Sequence, residues 1–161
     1  MRKYFFLIAV CVVALDRLAK WAVATYLPLY ESLTVIPGFF HITHVENPGA
    51  AFGLFAESAA PWKVAALVGF SLVALIIVTV LLWKNSHVMN TTTIGLSLIL
   101  GGATGNFWDR IVDGRVVDFL HFYVGRYSWP DFNVADSAIV VGAGLLVIEI
   151  LFAKTPAEKS A

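Results

Sequence analysis

Four stretches of this chain are apolar for long enough to leave water: residues 4–27, 62–83, 91–112 and 134–152. A helix needs about 20 predominantly apolar residues to cross the hydrocarbon core of a bilayer. Inside lipid every backbone N–H and C=O must be satisfied within the segment, which favours helix over open strand. The expected fold class is therefore an α-helical integral membrane protein with four transmembrane helices. Composition agrees, with 59% of the 161 residues hydrophobic and only 14% charged, against roughly 45–50% apolar usage in soluble domains. The length suits one domain, residues 1–161.

The start of the chain carries some marks of a removable secretory signal: Arg2 and Lys3, an apolar run from Tyr4 to Leu15, then Ala22-Val23-Ala24. Asp16, Arg17 and Lys20 would fall between that apolar run and the cut, where signals carry small uncharged residues. An uncleaved first membrane helix is the expectation. Residues 7–11 come near a lipidation box, but Val10 stands where a small residue is needed before Cys11. That cysteine is the only one, so no intramolecular disulfide can form. Net charge is zero with the basic residues scattered, which excludes nucleic acid as a partner.

The short link 84–90 makes the second and third spans an antiparallel hairpin. An even number of spans puts both termini on one side, and we expect that side to be the cytoplasm. The count of basic residues supports it only if most of Arg17, Lys20, Lys63, Arg110, Arg115 and Arg126 are engaged in a site rather than free in loops. The two far-side connections, residues 28–61 and 113–133, differ in kind. "TVIPGFFHITHVENPGAAFGLF" (34–55) mixes β-branched and aromatic residues with Pro37-Gly38 and Pro48-Gly49, the pattern of short strands and turns. A small extracytoplasmic β-sheet is expected there. The aromatic-rich 113–133, with Trp129 and Pro130, reads as an interfacial amphipathic segment.

An ionised carboxylate at membrane depth costs roughly 2.5–3.5 kcal/mol, so Asp16, Asp109, Asp118 and Asp136 each need a reason. Asp16 and Lys20 stand four apart and can pair on a helix. Asn106 and Arg110 can do likewise by hydrogen bonding, and Asp109 with Arg110 can mark the water-facing end of a helix. Asp118 and Asp136 have no basic residue at pairing distance on their own segments. One follows the third span and the other begins the fourth, so the connecting loop can bring them face to face. Two carboxyl groups in a poorly solvated site share one proton and titrate as a unit, which is the device of aspartic proteases. The plainer reading is two interfacial aspartates at helix ends, with Asp136 capping the fourth span. Spacing alone leaves both open.

Other chemistries find less support. His41 and His44 lack the helical H-E-x-x-H context of a zinc site, and no serine sits in a G-x-S-x-G elbow. Cys11 lies in an apolar run with no histidine beside it. "GGATGN" (101–106) lies inside a span, where Gly101 and Gly105 let helices or a substrate chain approach closely.

The stretches "DRLAK" (16–20), "NPGAAFG" (47–53), "GGATGNFWDRIVDGRVVDF" (101–119) and "FNVAD" (132–136) resemble, in order and spacing, the sequence boxes of the bacterial lipoprotein signal peptidases, or signal peptidase II. The resemblance covers essentially the whole chain. It implies a four-helix inner-membrane aspartic endopeptidase that cuts the signal peptide from a prolipoprotein just before a diacylglyceryl-modified cysteine. On that likeness Asp118 and Asp136 are the catalytic pair. Asp16 and Lys20 support the fold or the site, Asn47 and Gly49 lie along the substrate's path, and Asn106 and Arg110 are polar positions of the third box. Asn133 and Ala135 flank the second acid. Gly101 and Gly102 would leave room for lipid tails between spans. The departures are Leu18-Ala19, where a Thr often precedes the Lys, and Phe107-Trp108, where aliphatic residues are usual.

The resemblance implies no metal and no cofactor, membrane lipids and lipidated prolipoproteins as partners, a monomer, an active site near the outer leaflet, and sensitivity to the cyclic peptide globomycin. The competing class is a small proton-coupled membrane transporter, which would also carry acids within its spans.

Overall fold

The structure, a computed structural model, describes residues 2–49 and 62–152. Four helices carry most of them: α1 (Arg2–Tyr26), α2 (Trp62–Asn85), α3 (Thr91–Val112) and α4 (Val134–Phe152). The third and fourth keep the expected bounds, and the first two move by no more than two residues at either end. By hydropathy and length α2 and α4 are fit to cross a membrane. Charged residues break the apolar runs of α1 (Asp16, Arg17, Lys20) and α3 (Asp109, Arg110). Asp16, Arg17, Lys20 and Asp109 pair with one another between the two helices, as shown below.

Helix α3 is the centre of the bundle and packs against the other three. Its first turn is fixed by Asn90, whose side chain accepts from Thr93 N at 2.9 Å, while Thr93 Oγ1 accepts from Asn90 N at 3.1 Å. This reciprocal cap satisfies two amide groups that no helical carbonyl can reach. Small residues on α3 then let the backbones close in. A methyl group on Gly101 would come within 2.7 Å of Val12 and 2.8 Å of the Ala9 carbonyl on α1, and one on Gly102 would overlap the Ala135 carbonyl on α4. The expected room for lipid tails at Gly101 and Gly102 is thus taken up by neighbouring helices. Phe5, Ala9, Leu82, Leu96 and Leu100 form the core of the bundle. The outward surfaces bear exposed large apolar side chains, among them Phe70, Ile76, Val147 and Ile150.

A four-stranded antiparallel sheet, β1-β2-β3-β4, sits on one end of the bundle. Strands β1 (Ser32–Ile36) and β2 (Phe40–Asn47) turn at Pro37-Gly38, where Gly38 has φ +78°, a conformation glycine adopts without strain. The stretch 113–133 departs from expectation: its main part is strand β3 (Val116–Val124), paired with β2, followed by the short β4 (Tyr127–Ser128). The alternation in "VVDFLHFYV" suits a pleated strand. Cross-strand packing secures it, with Phe122 stacked on Phe40 at 4.6 Å and on Phe132 at 5.9 Å. Phe122 and Phe132 are thus taken up by packing in the sheet, while Tyr127 and Trp129 stay exposed.

Candidate active site

Strand β3 enters the sheet at Val116, so Asp118 is its third residue and lies opposite Val45 of β2. Helix α4 begins at Val134 because Asn133 caps it. Asn133 Oδ1 accepts from Asp136 N at 2.9 Å, and Asp136 Oδ2 accepts in return from Asn133 N at 3.3 Å. Asp136 thus takes part in the cap as the partner of Asn133 rather than as the capping residue itself, and this does not exclude the other reading. The same Asn133, wholly buried, donates Nδ2–H to Asp118 Oδ1 at 2.7 Å. One asparagine holds both acids.

Each acid has a second amide. Asn47, the last residue of β2, donates to Asp118 Oδ2 at 3.1 Å, and Asn106 on α3 donates to Asp136 Oδ1 at 2.7 Å. Asn47 is itself held by Gly49 N, which donates to its Oδ1 at 2.9 Å. Arg110 bonds backbone carbonyls, Asn106 at 3.2 Å and Gly49 at 3.3 Å. The pairing expected between Asn106 and Arg110 thus runs to the carbonyl, leaving the Asn106 amide for the acids.

Behind Asn106 lies a buried charged group. Lys20 reaches Asp16 Oδ2 at 2.7 Å, Asp109 Oδ2 at 2.6 Å and Asn106 Oδ1 at 3.1 Å. Arg17 pairs with the other oxygen of Asp109. Two cations meet two carboxylates, so the cluster is neutral, as burial requires. The expected Asp16–Lys20 pair is present. Asp109, expected at a water-facing helix end, is instead 2% exposed. Asp16 also accepts from Ala135 N at 3.0 Å, which ties α1 to the first turn of α4 next to Asp136.

The two acids open on a cleft of about 530 Å³. Asn47, Asn106, Arg110, Asp118 and Asp136 form its polar end. Trp129, Pro130, Phe132, Ile139 and Val140 make most of the rest apolar. Ile139 and Val140 follow Asp136 by three and four residues, so they share its helical face. That spacing was the signal available in the sequence for this wall. Arg17 was missed as a partner of Asp109, for want of any local sign.

The Asp118 carboxyl is pushed up from 3.8 to about 7. Burial is the larger cause and the charge of Asp136 the second, while the Asn47 and Asn133 amides and Lys20 pull the other way. Two neighbouring acids, one of which resists ionisation, can hold a single proton between them near neutrality.

Of the remaining predicted residues, Lys20, Asp16, Ala135 and Asn133 stand behind the cleft wall, Gly49 stands beside it, and Gly101 lies away from it at the α1–α3 contact. His41 and His44 serve the sheet: His41 Nε2 lies 2.8 Å from the Tyr123 hydroxyl and His44 Nδ1 2.8 Å from the Leu27 carbonyl.

Residues 8–152 match the family described as signal peptidase (SPase) II, Peptidase_A8. The lipoprotein signal peptidase of Solibacter usitatus is 46% identical over 93% of this chain and 92% of its own. That of Desulforapulum autotrophicum is 48% identical over 93% of each. Two solved structures, both described as bacterial membrane enzymes, superpose with TM-scores of 0.85 and 0.82 at 32% and 34% identity. The first covers 99% of this chain and 94% of that one, the second 95% of each.

Proposed function

This chain belongs to the signal peptidase II family, and from that premise we propose that Asp118 and Asp136 are the pair with which it cuts the signal peptide from lipoprotein precursors. It is an aspartic-type membrane peptidase. The observation that carries the reading is the hold of Asn133 on both acids where they line a mostly apolar cleft. The transport reading is dropped, because the relatives are peptidases.

With the shared proton on Asp118, whose carboxyl is pushed up to about 7, Asp136 is the ionised member. A water held between them loses a proton to Asp136 and attacks the scissile carbonyl carbon, while Asp118 gives its proton to the carbonyl oxygen. The tetrahedral diol then collapses. Asp136 passes its proton to the leaving nitrogen as the C–N bond breaks, and Asp118 recovers a proton from a diol hydroxyl. Both acids return to their starting states.

The cleft suits the substrate class that the family implies. A precursor lipidated at its cysteine would present a peptide to the acids and acyl chains to the apolar wall of Ile139 and Val140, with the cut just before the modified cysteine. Asn47 and Arg110 line the path of the peptide. Asp16, Lys20, Asn106, Gly49 and Ala135 hold the groups that touch it, and Gly101 serves the helix packing. The same reading makes the chain one domain with four spans, residues 4–27, 62–83, 91–112 and 134–152. The sheet and cleft then face the outer side of the bacterial inner membrane, and both termini face the cytoplasm. The enzyme works as a monomer among membrane lipids, with no metal or cofactor.

Cells relying on Asp118→Asn or Asp136→Asn protein should accumulate unprocessed prolipoprotein at normal enzyme levels. Normal processing in either strain would overturn the assignment.

A further inference from the structure

Lys20 does not line the cleft, yet it determines how the Asn106 amide points. An ammonium group can only donate hydrogen bonds, so the atom of Asn106 that it meets at 3.1 Å is the oxygen. The other end of that amide is then the NH2 group, and it faces Asp136 Oδ1 at 2.7 Å. An amide whose orientation is ordinarily open to reversal is fixed here by a neighbouring charge.

Asn106 Oδ1 also accepts from Asn133 Nδ2 at 3.3 Å, but the Asn133 amide is already fixed by its own cap, since its oxygen accepts from Asp136 N. We propose that Lys20 is a positioning residue for the reaction: through Asn106 it forces an N–H donor onto Asp136. Donation to Asp136 favours its ionised form, the form the reaction needs at its start. Asp16 and Asp109 hold Lys20 in place from the far side at 2.7 Å and 2.6 Å, so it cannot turn away. The inference rests on the reading of Asp118 and Asp136 as the catalytic pair.

The test uses the full-length protein in detergent with a synthetic lipidated precursor peptide, measuring kcat and KM across pH. Lys20→Met keeps the length of the side chain without its charge. It should lower kcat on the order of 10–100-fold, the range found when outer hydrogen-bond partners of metal ligands are removed, with KM within about twofold. The charges facing Asp118 are Asp136 on α4, Lys20 on α1 and Arg110 on α3, with the Asn47 and Asn133 amides beside them. Removing one cation leaves the proton on Asp118 harder to lose, so the alkaline limb of the profile should move to higher pH. If Lys20 acts through Asn106, Lys20→Met should lower kcat at the pH optimum no further in an Asn106→Ala background, while the shift of the alkaline limb, which the charge exerts through space, persists there.

An unchanged kcat, an unmoved alkaline limb, or a loss that multiplies with that of Asn106→Ala would each overturn the proposal. Should Lys20→Met fail to fold, Lys20→Met/Asp16→Asn keeps the buried group neutral and is read by the same criteria. Asp118→Asn and Asp136→Asn run alongside. Activity in those two would mean that the catalytic pair itself is wrong, whereas their inactivity beside a normal Lys20→Met would sink only the role of Lys20.

Discussion

Asn133 donates its side-chain amide to Asp118 at 2.7 Å. The residue that starts helix α4 is thereby also the residue that holds the strand acid, and the separation of the two acids is set by one buried side chain. Replacing Asn133 by Ala should remove the helix cap, at a cost of about 0.5–2 kcal/mol. It should also lower kcat much more than that loss of stability would, because Asp118 loses a donor and the first turn that carries Asp136 loses the side-chain acceptor of its backbone N–H. Thermal unfolding and cleavage kinetics on the same preparation check the two effects separately.

A carboxyl raised to about 7 fixes the direction of the pH dependence. The state with one shared proton is lost as pH rises through about 7, so kcat/KM should fall on the alkaline side from that point. Stability runs in the same sense. A group whose folded value lies above its unfolded 3.8 contributes fully below about 4, and the contribution disappears as pH rises through about 7. The melting temperature of Asp118→Asn minus that of the natural protein should therefore increase between pH 4 and pH 8. A flat difference across that range would contradict the raised value.

The glycines of the bundle divide by what surrounds them. A methyl group at Gly102 would overlap the Ala135 carbonyl, one residue before Asp136, whereas nothing lies within 4 Å of one at Gly144. Gly102→Ala should destabilise by about 1–3 kcal/mol, as overpacking does, and lower activity by shifting the first turn of α4. Gly144→Ala should be neutral or stabilising by up to about 1 kcal/mol. Melting temperatures in detergent with a cleavage assay would show the contrast.

The helices were legible because hydrophobic runs of that length have few alternatives. The first hairpin was legible because Pro37-Gly38 announces its turn. Strand β3 was hidden because its partner β2 lies some seventy residues earlier, and the aromatic residues that favour an interface also favour a sheet. Asp109 was misread for a similar reason. Its partners Arg17 and Lys20 are 92 and 89 residues away in sequence, so only its neighbour Arg110 was in view. Small residues at 101 and 102 announced a close approach without saying by what. Spacing left Asp136 as either a cap or a member of a pair. The structure has it completing the cap of Asn133 while its carboxyl lines the cleft, so the choice between the two was never required.

The most direct measurement is cleavage of a purified precursor peptide carrying a diacylglyceryl cysteine, by the natural protein, Asp118→Asn and Asp136→Asn, each with a strong chelator present. The account predicts undiminished cleavage by the natural protein and a loss on the order of 10²–10⁴-fold in each variant, the size of a missing general acid or base. Cleavage abolished by the chelator, or retained by either variant, would contradict it.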